Sequence, residues 1–127
     1  MSISERATAL MREVPRDPSD IDRLREEWRL SAVKFNHAND IAKRYEEGRK
    51  VYLSQLKMAL IDAGIKPLTV AEDRARISKE FRRYLRRMFD ARKHADDLEV
   101  EMIVADRLYW EKKSADATER SERRMSR

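Results

Sequence analysis

One short segment in the middle of the chain, residues 59–72, contains the strongest helix-interrupting signals. Gly64 favours a helix end because glycine enters the left-handed conformation without a Cβ penalty. Pro67 forbids helix continuation and biases the residue before it toward extended geometry. Thr69 and Glu72 have the spacing of a capping box, which predicts a new helix start. One helix therefore ends and another begins within about five residues, a connection length typical of antiparallel neighbours.

One long helix is predicted on each side of this break, over residues 19–63 and 70–113, and Ser19 is the expected N-cap of the first of them. Each carries a stripe of mainly apolar residues that recurs about every 3.5 residues, the period of a coiled-coil seam. The two seams are Ile21, Leu24, Trp28, Ser31, Phe35, Ala38, Ala42, Tyr45, Arg49, Tyr52, Leu56, Ala59 and Ala63, and Ala71, Ala75, Ser78, Phe81, Leu85, Met88, Ala91, Ala95, Leu98, Met102, Ala105 and Tyr109.

The two seams fit each other in one antiparallel register. Facing residues of an antiparallel pair have a constant sum of residue numbers, and this sum is 133 along most of the hairpin, as for Ala38 and Ala95. Near the turn it becomes 134, as for Ala59 and Ala75. The apolar patterns of the two helices, each defined independently of the other, thus agree on one pairing. They predict an all-α fold, a long antiparallel helical hairpin of coiled-coil type forming a single domain over residues 1–127.

The ends of the chain differ from the hairpin. Residues 4–14 have helical spacing of apolar side chains, which predicts a short helix capped by Ser4. Pro15 and Pro18 then break the chain before the first long helix. Residues 114–127 are polar on every face, which predicts a frayed helix end or a disordered tail.

A second set of apolar residues lies beside the seams and needs a cover that two helices do not provide. Either the helix over residues 4–14 folds back on it, or a second copy of the chain packs there. We expect self-association into a homo-oligomer, in which two hairpins pack as a four-helix bundle. The set at the open end of the hairpin, away from the turn, is Leu30, Val33, Val100, Ile103 and Val104. The other uncovered positions are Ile41, Val51, Leu53, Ile77 and Phe89.

Composition excludes several classes of site. The chain has no cysteine, so disulfides and thiolate metal sites are absent. It has no phosphate-binding glycine loop and no nucleophile motif, so we expect neither an enzyme nor a cofactor. His37 and His94 are its only histidines, and with Asp40 and Asp97 they are better interpreted as solvated polar residues than as metal ligands. Without a signal-peptide pattern or an apolar run of membrane-spanning length, we expect a cytoplasmic location and no membrane partner.

Charge placement carries the functional prediction. Residues 43–93 have a net charge of +8 and the remaining residues −3. The densest run, residues 82–87, contains four arginines whose i, i+3 and i+4 spacing suits successive phosphates. Tyr84 lies among them and would stack on an unpaired base. The predicted surface for single-stranded nucleic acid is Lys50, Lys57, Arg74, Arg76, Lys79, Arg82, Arg83, Tyr84, Arg86 and Arg87.

Two alternatives to this interpretation stay open. The basic run would be an ordinary solvated face if Arg82 and Arg83 paired with neighbours such as Glu80 or Asp90. The hairpin would otherwise be a helical scaffold or inhibitor that binds another protein, for example a phage factor acting on a host protein.

Four segments taken together suggest a relationship: residues 49–57, the restart from Thr69 to Glu72, residues 78–85 and residues 110–114. They resemble small helical proteins encoded in phage genomes beside single-strand-annealing and recombination genes, over roughly residues 28–124. The resemblance implies an accessory of phage DNA recombination or replication, such as a mediator that loads a recombinase on single strands. Its partners would be single-stranded nucleic acid or a recombination or replication protein, in the host cytoplasm.

Overall fold

The computed structural model describes residues 1–13 and 21–126, and within these ranges every regular element is an α-helix. The long helices α2 and α4 pack against each other, which confirms the predicted all-α helical hairpin. The predictions made for Val14, Pro15, Pro18 and Ser19 lie outside the described residues. The helices are α1 (Ile3–Glu13), α2 (Ile21–Asp62), α3 (Leu68–Ile77) and α4 (Lys79–Met125).

The chain forms two compact units. Unit 1 comprises Met1–His37 and Asp96–Arg127, and unit 2 comprises Ala38–Ala95. Unit 1 contains α1 and unit 2 contains α3, and each also holds a stretch of α2 and of α4. Among the described residues of α2, α3 and α4, every buried apolar side chain except Val100 belongs to a predicted seam. These seam residues are Leu24, Ala38, Ala42, Ala71, Ala75, Phe81, Met88, Ala95 and Tyr109.

The end of α2 has the geometry that glycine was expected to provide. Gly64 has a φ of 93°, in the left-handed region. Its N–H donates to the Ile61 carbonyl at 2.9 Å, and the N–H of Ile65 donates to the Leu60 carbonyl at 3.0 Å. These two bonds form a Schellman motif, which satisfies carbonyls that the helix end would leave without donors.

The start of α3 corrects one prediction. Pro67 is the N-cap, and no side chain caps this helix end. Thr69 lies inside the first turn and does not form the predicted capping box. The Glu72 carboxylate is held instead by Arg76 at 2.7 Å on the next turn. Proline takes the cap position because its fixed φ suits a helix start and its missing N–H would have no helical partner.

The predicted second long helix is divided in two at Ser78. This residue is extended, with φ −65° and ψ 153°. Its hydroxyl donates to the Ala75 carbonyl at 2.7 Å and accepts the Phe81 N–H at 3.2 Å, so one side chain closes α3 and caps α4. Because α3 is a separate helix, the seam does not continue as predicted toward the turn. Ala75 is buried, but its predicted partner Ala59 is exposed, and Ala63 is exposed as well.

The cap of α1 also differs from the prediction. The Ser2 hydroxyl, not that of Ser4, accepts a helix N–H, that of Glu5 at 3.1 Å. Ser2 and Glu5 have capping-box spacing, a signal already present in the sequence. The Ser4 hydroxyl is instead directed to the Arg107 guanidinium at 3.3 Å.

Side-chain contacts attach α1 to α4 within unit 1. Arg6 pairs with Asp97 at 2.6 Å, and Arg107 donates to the Thr8 hydroxyl at 2.8 Å. Ala7 and Val100 are fully buried or nearly so. The docked helix does not cover the whole apolar set, however, because Leu30 and Val33 remain 45% and 56% exposed.

The polar segment after residue 113, predicted as a tail, is helical as far as Met125. Pairs at i, i+4 spacing stabilise it on the helix surface. Lys112 lies 3.1 Å from Asp116, and Arg123 lies 2.6 Å from Glu119.

Candidate nucleic-acid interface

The charge asymmetry of the sequence follows the division into units. Unit 2 holds 15 basic and 8 acidic residues, a net charge of +7. Unit 1 holds 14 basic and 16 acidic residues, a net charge of −2. The positive field of the protein therefore comes from unit 2, in which all ten residues predicted to bind nucleic acid lie.

The four arginines of the run Arg82–Arg87 are exposed on α4. Phe81 and Met88 on the same helix are buried, so packing of these two side chains fixes which face of α4 carries the arginines. In the described part of the chain, none of the four guanidiniums forms an ion pair or a side-chain hydrogen bond; the pairs with Glu80 or Asp90 that would make this an ordinary solvated face do not form.

Arginines of unit 1 behave differently. Arg6 is held by Asp97, and Arg29 binds Glu26 in a two-pronged pair at 2.6 and 3.1 Å. In that pair the guanidinium lowers the pKa of Glu26 below its ordinary value. Unit 1 thus neutralises these cations internally, whereas unit 2 leaves the run on α4 free for an external anion.

The other predicted cations divide into two groups. Arg76 and Lys57 both approach the Glu72 carboxylate, at 2.7 and 3.9 Å. They are partly neutralised and contribute less to an anion site. Lys50, Arg74 and Lys79 are exposed and, within the described ranges, form no ion pair.

Tyr84 does not extend into solvent with the arginines. The register places it level with Arg49, and its ring contacts the two tyrosines one turn to either side on α2. It stacks on Tyr52 at 4.6 Å between ring centroids and meets Tyr45 edge-on at 5.5 Å. Its hydroxyl donates to the Tyr45 carbonyl at 2.6 Å. Burial, and then the neighbouring phenols, raise the pKa of Tyr84 above its ordinary value. These contacts occupy one ring face and the hydroxyl, which leaves less of Tyr84 for the predicted base stacking, although the ring still borders a hollow of about 210 Å³.

Gly48 makes this arrangement possible. A Cβ placed on Gly48 would lie 2.8 Å from the Tyr84 hydroxyl oxygen, closer than real side chains come. The glycine in the middle of α2 therefore provides the space in which the Tyr84 hydroxyl reaches the backbone of the facing helix.

A second link between α2 and α4 lies about two turns further along α4, also within unit 2. Arg92 binds Glu46 through two nitrogens, at 2.7 and 3.2 Å, and also donates to the Asn39 side chain at 2.9 Å. The hydrogen bond from Arg92 is the main reason that the pKa of Glu46 is lowered. This arginine is structural, so the sequence run of basic residues after Phe89 is not all available to a ligand.

A groove of about 340 Å³ lies on unit 2, between α2, α3 and α4. Leu53, Phe81 and Leu85 line it with apolar surface. Arg49 and Lys50 of α2, together with Arg76 of α3, supply basic groups at the same groove. Arg49 belongs to the predicted seam and not to the predicted binding residues, yet its side chain is exposed at the groove. Periodicity alone does not distinguish a seam residue inside the helix pair from one at its edge.

Phe89 is a second residue of the unit 2 surface that lies outside the predicted set. Its side chain is 63% exposed, and no aromatic ring or cation of the described residues packs on it. It lies one turn after Arg86 and one turn before Lys93 on α4, both of which are exposed. In the sequence, Phe89 is only an apolar residue that no other element covers. Its position beside unpaired cations becomes visible once the orientation of α4 is known.

The described residues contain no group of three histidine, aspartate or glutamate side chains able to hold a metal ion. None of the four helices in these ranges combines the length and the apolarity needed to cross a bilayer. No protein-family model, curated protein or solved structure matches the chain.

Proposed function

We propose that this protein binds nucleic acid, preferably single-stranded, through the basic surface of unit 2. The binding is non-enzymatic: exposed guanidiniums and ammonium groups neutralise backbone phosphates and position the strand. The groups that carry it are Lys50, Arg74, Lys79, Arg82, Arg83, Arg86 and Arg87, with Arg76 and Lys57 contributing less.

The observation that supports this proposal most strongly is the unpaired arginine run on α4. A surface cation that merely confers solubility gains a little by pairing with a neighbouring carboxylate, and Arg6, Arg29 and Arg123 of unit 1 do so. Unit 2 concentrates excess positive charge and leaves four adjacent guanidiniums without an acidic partner. This is the arrangement expected of a surface whose counter-charge arrives with a ligand.

The biological setting of the proposal comes from the resemblance described above. An accessory of phage DNA recombination or replication would act in the host cytoplasm, on single strands or on a protein that handles them. A helical protein without an enzyme motif fits such a loading or bridging role.

The test measures binding of a fluorescent oligothymidylate by anisotropy over a range of salt concentrations. In the test variant, Arg82, Arg83, Arg86 and Arg87 are replaced by Gln. Gln has nearly the helix propensity of Arg, so the fold is expected to persist. We expect the variant to lose most of the affinity and to show a shallower dependence of log K on log salt, by about 0.7 per lost phosphate contact.

A matched control removes the same charge from unit 1. It replaces four exposed basic residues, Arg12, Lys34, Arg120 and Arg124, by Gln. The control should retain most of the affinity, since it removes net charge without touching the proposed surface. Equal losses in both variants would show that net charge alone attracts the strand, and absence of binding by the parent at low salt would refute the function.

A second candidate function is favoured by the apolar surface of unit 1. A groove of about 370 Å³ is lined there by Leu10, Leu30 and Val104, with Glu27 and Glu101 among its polar groups. The exposed Leu30 lies in it. A helical segment of another protein, or of a second copy of this chain, would bury such a surface. Replacing Leu30 by Glu should abolish that association while leaving nucleic-acid binding by unit 2 unchanged.

A further inference from the structure

Single-strand binding usually needs a flat ring on which a base can stack, in addition to phosphate contacts. Duplex DNA offers phosphates at high density but hides its base faces, so an accessible aromatic ring distinguishes the two ligands. The sequence assigned this role to Tyr84, whose ring is engaged with Tyr52 in the structure.

We propose that Phe89 is the base-stacking platform of the unit 2 surface, and that an unpaired base of a single strand lies on its ring. This inference rests on the proposed function and names the group that makes it selective for single strands. Phe89 is 63% exposed, and a large aromatic side chain held in water on a rigid helix gains free energy when a base covers it.

The neighbours of Phe89 supply the phosphate contacts that such a base would need. Residues three and four apart lie side by side on a helix surface. Arg86 and Lys93 therefore flank the ring, and Arg82 continues the same stripe two turns before it. All three are exposed and, in the ranges that the structure describes, have no ion-pair partner.

The groove of unit 2 adjoins this surface on the N-terminal side of Phe89. Leu85 lines the groove and lies four residues before Phe89, on the same side of α4. The groove volume of about 340 Å³ is at the small end for ligand sites, a size suited to one nucleotide unit rather than to a folded ligand. Arg49 and Lys50 at this groove would hold the adjoining phosphates. A strand would thus have one base on Phe89 and a neighbouring unit at the groove.

The experiment compares two ligands of equal length, an oligothymidylate and an abasic strand with the same phosphate backbone. The variants are Phe89→Leu, which keeps an apolar side chain but removes the ring, and Phe89→Tyr, which keeps the ring. We expect Phe89→Leu to weaken oligothymidylate binding by roughly 5- to 150-fold, the range for one stacked base, and Phe89→Tyr to bind like the parent. Both should bind the abasic strand as the parent does, with an unchanged salt slope.

Trp110→Leu is the matched control, because Trp110 is an exposed aromatic residue of unit 1, 48% accessible. It should leave both affinities unchanged.

If Phe89→Leu binds oligothymidylate as tightly as the parent, the platform is refuted while the proposed function stands. An equal loss on the abasic strand would likewise overturn it, because the ring would then act without a base. A change of mass in sedimentation together with loss of both ligands would assign Phe89 to contact between copies instead. Failure of the parent to bind either strand refutes the proposed function itself.

Discussion

Gly48 offers a test of the packing in unit 2 in which two physical effects have opposite signs. In an exposed helix interior, Gly→Ala stabilises by about 1 kcal/mol because alanine loses less backbone entropy on folding. At position 48 the new methyl group would lie 2.8 Å from the Tyr84 hydroxyl. The ring cannot simply swing away, since it is stacked on Tyr52 at 4.6 Å.

The expected cost follows from what Tyr84 must give up. A net hydrogen bond contributes about 0.5–1.5 kcal/mol, and an aromatic pair adds about 0.5–1.5 kcal/mol beyond its burial. Losing the bond to the Tyr45 carbonyl and loosening the stack therefore costs about 2 kcal/mol. This outweighs the propensity gain, so we expect Gly48→Ala to destabilise the protein by about 1 kcal/mol.

Tyr84→Phe provides the background that isolates the contact. It removes the hydroxyl oxygen and leaves the ring, so that Gly48→Ala made in this background should stabilise by up to about 1 kcal/mol. The two effects differ by about 2 kcal/mol, a coupling that a double-mutant cycle resolves easily. Urea denaturation followed by far-UV circular dichroism measures all four variants. Equal stabilisation by Gly48→Ala in both backgrounds would refute the proposed contact.

Three further predictions concern the pairing of the helices and the state of the chain. The Arg92 hydrogen bond lowers the pKa of Glu46 below the ordinary 4.5, so the pair stabilises the fold fully above 4.5 and progressively less as pH falls through the lowered value. Urea midpoints of the parent and of Glu46→Gln should therefore differ near neutral pH and converge in acid. Cysteines placed at Ala38 and Ala95, which are both buried in unit 2, should form a disulfide within one chain, and on non-reducing gels a cross-link found only between chains would contradict the hairpin. Sedimentation should give a mass above that of one chain, and a monomer mass would refute self-association.

The hairpin could be predicted from the sequence because its signals are repeated many times. Each seam contains about a dozen positions, so a single exception such as Arg49 does not change the period. The turn could be predicted for a local reason. Few residues other than glycine take a φ of 93°, so Gly64 ends the helix independently of distant contacts.

Caps and breaks were less predictable because each depends on one or two residues in competition with their neighbours. Ser2 and Ser4 are both good N-cap residues, and only the N–H that each reaches decides between them. Ser78 fits a seam by its number, yet its hydroxyl also stabilises a break by bonding on both sides of itself. A periodic pattern does not contain that choice, since the interactions that decide it are local hydrogen bonds.

The proposed binding surface could not be predicted fully either, because it depends on how α4 is rotated about its own axis. Tyr84 and Phe89 are separated by five residues, so they project from α4 in directions that differ by well over a quarter turn. Burial of Phe81 and Met88, together with the Tyr84 hydrogen bond across Gly48, fixes the rotation of α4 against α2. That rotation turns Tyr84 toward α2 and leaves Phe89 in water beside Arg86. The aromatic residue centred in the basic run of the sequence is therefore tied to α2 by its ring and its hydroxyl. The more exposed ring is that of Phe89, which the seam leaves uncovered. Gly48, which helix propensity alone marks as a weak position in α2, provides the space that the Tyr84 hydroxyl occupies.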